Sequence, residues 1–283
     1  MATPIGNLAD LTPRARASLA GADLIAAEDT RRTQALLSAL GISRPLLSLH
    51  AHNETARIES VLAQLRAGKV VALVSDAGTP LVSDPGFALV RAAAVAGIEV
   101  RTIPGVSAVT AALSVAGLPT DRFAFEGFLP ARGPKRQAAL SRLAAEQRTL
   151  ILFEAPHRIA DTLAELVHSL GPARPATVAR ELTKLHESIY RGSLAELAEA
   201  AIRDANFARG EITLLVAGAA ADNATAGDRP LLMRALRLLL EELPPARAAA
   251  IAAQLAGVRR SEAYELARQM RPGTPDVPGS DEG

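Results

Sequence analysis

Lys69-Val70-Val71-Ala72-Leu73-Val74, running straight into Ser75-Asp76-Ala77-Gly78-Thr79-Pro80-Leu81-Val82-Ser83-Asp84-Pro85-Gly86, is the stretch that decides the fold. The first six residues are a short, β-branched apolar run that reads as a buried parallel strand. The next twelve hold two Ser-Asp pairs, two glycines and two prolines. Such a loop has a fixed backbone that a ligand can approach closely. Phe87 to Ala96 has helical spacing, and Gly97-Ile98-Glu99-Val100-Arg101-Thr102-Ile103 reads as a second strand stopped by Pro104-Gly105. Strand, helix, strand in this order is a right-handed parallel crossover, and ligands of such sheets bind beyond the carboxyl ends of the strands. The loop contains neither G-x-G-x-x-G nor G-x-x-x-x-G-K-[ST], which excludes a dinucleotide fingerprint and a P-loop.

Upstream, residues 8–40 read as mostly helical, with a short strand over Ala22-Asp23-Leu24-Ile25-Ala26-Ala27. Downstream, past a boundary at Leu118-Pro119, the α/β style returns. Strands are expected at Thr149–Phe153, Ala176–Arg180 and Glu211–Val216, with a helix over Ile159–Leu170 closed by Gly171-Pro172. The domains expected are 1–118 and 119–220, both α/β, a linker at 221–230, a helical appendage at 231–271 and a disordered tail at 272–283. In the appendage, helices fit 231–242, 245–256 and 260–270, and Ala256-Gly257-Val258 makes a helix-turn-helix connection with Ser261 as N-cap. Eight arginines (229, 234, 237, 247, 259, 260, 268, 271) stand there against four glutamates (241, 242, 262, 265).

The composition narrows the chemistry. The 283 residues are 49% apolar but only 3% aromatic, so the cores are aliphatic and alanine-rich. There is no cysteine, which excludes disulfides, thiolate nucleophiles and zinc-thiolate sites. The start resembles no signal peptide and no run is long enough to span a membrane, so a cytoplasmic protein is expected. A net charge of +1 argues against a general polyanion-coating protein. Lys69, Lys135 and Lys184 are the only lysines, so a lysine inside a motif stands out.

Several motifs fall where strands end. Thr3-Pro4-Ile5-Gly6-Asn7-Leu8 is a tight turn able to present backbone N–H groups to an anion, or an ordinary entry into a helix. Asp76 is a ligand contact or a turn-former, and Ser107 in Ile103-Pro104-Gly105-Val106-Ser107-Ala108 a ligand contact or a helix cap. Phe125-Glu126-Gly127-Phe128-Leu129-Pro130, Phe153-Glu154-Ala155-Pro156-His157-Arg158, Ala179 to Glu187 and Gly210-Glu211 each place charge at the carboxyl end of a strand, and their convergence on one domain edge points to a site. Glu28-Asp29-Thr30-Arg31-Arg32 and His50-Ala51-His52-Asn53-Glu54 complete the set; no metal site is expected at the two histidines.

Taken in order, TPIGNL, AAEDTRRT, HAHNE, VSDAGTPLVSDPG, IPGVSA, FEGFLP, FEAPHR, ARELTKLHE and RGE resemble the bacterial 16S ribosomal RNA (cytidine-2′-O)-methyltransferases, within the tetrapyrrole methylase (class III methyltransferase) fold. The resemblance runs from Thr3 to about Arg271. It implies two α/β domains with a cleft between them plus a small helix-turn-helix-like domain, usually as a homodimer. It also implies 2′-O-methylation of a decoding-centre cytidine of 16S ribosomal RNA, with S-adenosylmethionine as cofactor and the small ribosomal subunit as partner. One departure stands out: family members begin with an apolar strand, whereas only Met1 and Ala2 precede Thr3 here. A misassigned start codon or a shortened chain is the expectation; a stop codon directly upstream in the gene would rule it out.

For such chemistry Pro4, Ile5 and Gly6, Asp76, Ala77, Gly78, Thr79, Pro80, Leu81 and Val82, and Ser107 and Ala108 are the expected cofactor contacts. Lys184 is the expected catalytic group, stabilising an alkoxide or, with a depressed pKa, removing a proton. Glu154, Arg158, Arg180 and Glu181 are expected to orient it. The alternatives are a tetrapyrrole-precursor methyltransferase on the same fold and a non-catalytic RNA-binding protein.

Overall fold

The computed structural model describes residues 1–219 and 229–270. The first half comprises α1 (Pro13–Gly21), β1 (Leu24–Ala27), α2 (Thr30–Leu40), β2 (Leu46–Ser48), α3 (Glu54–Arg66), β3 (Val71–Val74), α4 (Phe87–Val95) and α5 (Ala108–Ala116). The three strands form a parallel sheet in the order β2-β1-β3. Caps written in the sequence set the helix starts: the Thr12 hydroxyl accepts from the Ala15 N–H, and the Asp29 carboxylate accepts from the Arg31 N–H. Leu19, Ile25, Leu37 and Val74 form the fully or almost fully buried aliphatic core on one face of this sheet.

The strand expected at Gly97–Ile103 does not form. Residues 98–107 take no regular secondary structure and join no strand ladder; the Ala2 N–H donates to the Ile103 carbonyl at 3.0 Å. The same chain start reaches the loop after β3. Thr3 and Gly78 exchange both backbone hydrogen bonds, at 2.9 and 3.0 Å, and the Met1 ammonium donates to the Leu73 carbonyl at 2.8 Å. Three residues thus tie the Pro4–Gly6 turn to β3, to Ile103 and, through Thr3, to the twelve-residue loop.

The second half comprises β4 (Phe123–Phe128), α6 (Pro134–Ala144), β5 (Thr149–Glu154), α7 (Ile159–Leu170), β6 (Pro175–Arg180), β7 (Ser188–Ser193), α8 (Leu194–Arg203) and β8 (Ile212–Val216). The sheet order is β4-β5-β8-β6-β7, and only β4 and β5 are parallel. Leucines of α6, α7 and α8 cover one face, against Leu150, Leu152, Val178 and Leu214. The other face packs on α5, with Val109, Ala112 and Leu113 against Ile151, Ala179 and Leu215. Because α5 precedes Leu118-Pro119 yet lies in the core of the second sheet, residues Met1–Ala217 are one compact unit.

Gly218–Gly283 form a second unit. Its described part is α9 (Arg229–Glu242), α10 (Pro245–Ala256) and α11 (Arg260–Met270), packed around Leu232, Leu236, Ala249, Ala252 and Ala263. Gly257 closes α10 in the left-handed conformation, φ 66°, where a Cβ would be strained. Helix α11 starts at Arg260, so Ser261 sits in its first turn and is not the N-cap expected from sequence. The expected linker at 221–230 and tail at 272–283 lie outside the described residues, except that Arg229 and Pro230 already belong to α9. Among the described residues no helix is long and apolar enough to cross a membrane.

Candidate active site

Within the first unit, the carboxyl ends of β1 and β3, the turn before α5 and the Pro4–Gly6 turn gather at one edge. Facing them are the residues after β5, Leu182 after β6, and the approach to β8. Gly210 and Glu211 lie at the amino end of β8, not the carboxyl end expected; β8 runs antiparallel to β5 and β6, which brings them to the same edge. The two walls enclose a cavity of about 420 Å³.

The loop after β3 is held by its neighbours as well as by its own Ser75 hydroxyl. The Thr3 hydroxyl donates to the Ser75 carbonyl at 3.2 Å, and the Thr79 hydroxyl to the Val106 carbonyl at 3.3 Å. Asp76 accepts from the Asp29 N–H at 2.9 Å and pairs with Arg32 at 3.5 Å, so it links the ends of β1 and β3 instead of merely turning its own loop. Leu81 and Ser83 take φ of 72° and 67°. Left-handed non-glycine residues cost about 1–3 kcal/mol each and persist only where the surroundings over-determine them, typically at functional sites. Ser107 occupies the N-cap position of α5, but its side chain makes no capping bond, and the residue lines the cavity.

Of the expected cofactor contacts, Ile5, Asp76, Ala77, Gly78, Thr79, Val82, Ser107 and Ala108 line the cavity. Pro4, Gly6, Pro80 and Leu81 do not, though each is next in sequence to a residue that does. Of the expected catalytic set, only Glu154 lines it. Both Glu154 oxygens are engaged, one by the Ala155 N–H at 2.7 Å and the other by the Thr162 hydroxyl at 2.6 Å, with Arg158 at 3.3 Å. Arg158 donates to the Leu129 carbonyl at 3.0 Å, so this pair braces the ends of β4 and β5. Arg180, buried, donates to the His186 carbonyl at 3.0 Å and to the Ser188 hydroxyl at 3.3 Å, closing the loop that carries Lys184.

Lys184 sits beside the cavity, between the two walls. Its ammonium donates to Glu181 at 2.8 Å and to Glu211, a lining residue, at 3.0 Å. Its aliphatic stem runs over Gly6 so closely that a Cβ there would collide with it. Burial alone would lower the Lys184 pKa, but the hydrogen bonds to Glu181 and Glu211 outweigh it and the net shift is upward. Lys184 is therefore a held cation, which favours charge stabilisation over proton removal.

Sequence reasoning left four charged lining residues, Glu28, Arg32, Asp84 and Glu211, out of the candidate set. The second Ser-Asp pair of the loop was the signal for Asp84. Burial pushes the Asp84 carboxyl up to about 6, partly opposed by the Ser75 hydroxyl and reinforced by the charges of Glu28 and Asp76. Burial, then the charge of Asp76, also raises Glu28. A carboxyl with a raised folded pKa stabilises the fold below its unfolded pKa and loses that contribution as pH rises through the folded value. Asp84→Asn is accordingly expected to raise the melting temperature of the ligand-free protein above pH 6, by about 2–6 °C at pH 8 after allowance for solvent on the exposed side of the group. The gain should vanish near pH 4. Melting curves across that range check this; a pH-independent difference would refute the assignment.

Comparison with known proteins places this geometry. Residues 2–198 match the family Tetrapyrrole (Corrin/Porphyrin) Methylases, and residues 226–271 match RsmI C-terminal HTH domain. The chain is 52% identical over 267 residues to "Ribosomal RNA small subunit methyltransferase I" of Xylella fastidiosa, covering 93% of this chain and 96% of that protein. It is 48% identical over 270 residues to the protein of the same name from Escherichia coli O157:H7, covering 95% and 93%. Among solved structures, uroporphyrin-III C-methyl transferase from Thermus thermophilus, complexed with S-adenyl homocysteine, superposes with a TM-score of 0.51 at 23% identity, over 75% of this chain and 93% of that one.

Proposed function

The chain belongs to the tetrapyrrole methylase family and is a methyltransferase, and from that premise we propose that it methylates a decoding-centre cytidine of 16S ribosomal RNA on the ribose 2′-oxygen, using S-adenosylmethionine. The observation that carries this reading is near-full-length similarity to small-subunit ribosomal RNA methyltransferases, at 44–52% identity.

The residues present fit the cofactor. A cavity of about 420 Å³ lies within the usual range for ligand sites of this size. Ile5, Val82, Leu182 and Ile212 offer apolar surface, while Glu28, Asp76 and Asp84 suit a positively charged sulfonium and α-amino group. When bound, the cofactor supplies an activated methyl group. The protein supplies alignment, charge and exclusion of water. The strained loop of residues 75–86 forms one wall, and the Pro4–Gly6 turn with Ser107 and Ala108 extends it.

A ribose hydroxyl is a weak acid, so negative charge developing on its oxygen needs a cation. Lys184 is that cation, with Glu181 and Arg180 holding its loop and Glu154 and Arg158 stiffening the same wall at the end of β5. Asp84 is the lining carboxylate tuned to exchange a proton near neutrality. Exposed Arg234, Arg237, Arg247, Arg260 and Arg268 on the C-terminal helices supply phosphate contacts. A homodimer acting in the cytoplasm completes the reading; Phe87 and Val95, both exposed along α4, offer apolar surface for a second copy.

Methyl transfer from labelled S-adenosylmethionine to small subunits lacking the modification, followed by nucleotide mapping, is the direct test. A 2′-O-methyl on a decoding-centre cytidine is expected. Methylation of a base, or of a tetrapyrrole precursor in its place, would overturn the assignment. Absence of S-adenosylmethionine binding at equilibrium would favour a non-catalytic RNA-binding protein.

A further inference from the structure

Strand β4 contains a bulge. Phe125 pairs with Ile151, but Gly127 pairs with Leu152 and Phe128 with Phe153, which leaves Glu126 without a partner. Side chains alternate along a strand, so without the extra residue Phe128 would lie on the face opposite Phe125. With it, the alternation inverts. Leu150 and Leu152 face the helix-covered core, whereas Ile151 and Phe153 face α5 and the cavity. Phe128, opposite Phe153, falls on the cavity side.

Two contacts fix the bulge. The Glu126 carboxylate turns to the helix side and pairs with Arg142 of α6 at 2.6 Å. Gly127 takes φ 64°, and a Cβ there would press on the Ser83 hydroxyl of the strained loop, so glycine is favoured at the position. Phe125 and Phe128 then flank Phe153, at ring-centroid distances of 5.0 and 5.7 Å.

Phe128 is nevertheless 56% exposed. Of the chain's six phenylalanines, Phe87, Phe123 and Phe128 are exposed, and among these three Phe128 alone lines the cavity, aimed by a bulge and backed by a second ring. An exposed ring held against an aromatic backing beside a methylation cavity has the chemistry of a base-stacking platform, the usual device for splayed-out nucleotides. Resting on the RNA-methylation reading above, we propose that Phe128 stacks on the nucleobase of the nucleotide being methylated.

Phe128→Ala, Phe128→Leu and Phe128→Tyr separate ring stacking from apolar bulk. Ala and Leu are expected to raise the KM for unmodified small subunits about 5- to 100-fold, with Tyr within about threefold of wild type. The dissociation constant for S-adenosylmethionine, measured by equilibrium dialysis, should stay within about twofold in all three. A matching loss of cofactor affinity would hand the ring to the cofactor's adenine and overturn the proposal. So would an unchanged KM in Ala and Leu, or a Leu variant that behaves as wild type. Methyl transfer by the wild-type protein judges the function separately, so an unchanged KM against active wild type refutes the platform alone.

Discussion

Lys184→Ala is expected to lower the turnover number about 10²- to 10³-fold, the usual loss when a preorganised charge-stabilising group is removed. The dissociation constant of S-adenosylmethionine should move by no more than about threefold, since Lys184 does not line the cavity itself. The geometry makes the case. Lys184 bridges Glu181 and Glu211 at 2.8 and 3.0 Å, its pKa is raised, and its stem rests on Gly6 of the opposite wall. It is thus positioned without a rotamer search at the seam between the walls. Single-turnover kinetics with small subunits, alongside cofactor binding, would separate the two effects. Unchanged turnover would remove Lys184 from the mechanism, and a proportional loss of cofactor affinity would recast it as a binding residue.

Removal of residues 231–283 is expected to weaken binding to small subunits by about 10- to 1,000-fold at moderate salt. The slope of log affinity against log salt should flatten by roughly 0.9 for each lost phosphate contact. Arg234, Arg237, Arg247, Arg260 and Arg268 are exposed, and helices α9, α10 and α11 close their own core around Leu232, Leu236 and Ala252. The α/β unit has separate cores and its own cavity. Cofactor affinity should therefore survive the truncation. Filter binding across a salt series checks the prediction; an unaltered slope would mean that the arginines do not meet phosphate.

Much of the site was legible because strand ends and loop composition are local. The strand before Ser75, the helix after Gly86, and the clusters at Glu154 and Lys184 all follow from runs and breakers within about a dozen residues of one another. Glu28, Arg32 and Asp84 were missed for a different reason. Each looks like an ordinary surface charge until the ends of β1 and β3 are brought side by side and burial raises the carboxyl pKa values. Strand β7, over Ser188–Ser193, also went unread; none of its residues is buried, so it lacks a hydrophobic signature.

The sequence by itself determined the alternation of strands and helices, the loop of residues 75–86, the three C-terminal helices and the family, because caps, breakers and motif order act over short distances along the chain. Only the tertiary structure decided which residues share a wall. It placed α5 in the second core, laid Lys184 over Gly6, brought Gly210 and Glu211 to the cavity through an antiparallel strand, and turned Phe128 inward through one unpaired residue. Those outcomes depend on sheet order and register, which are settled by packing between segments far apart in the chain, and a one-residue shift in register moves a side chain to the opposite face.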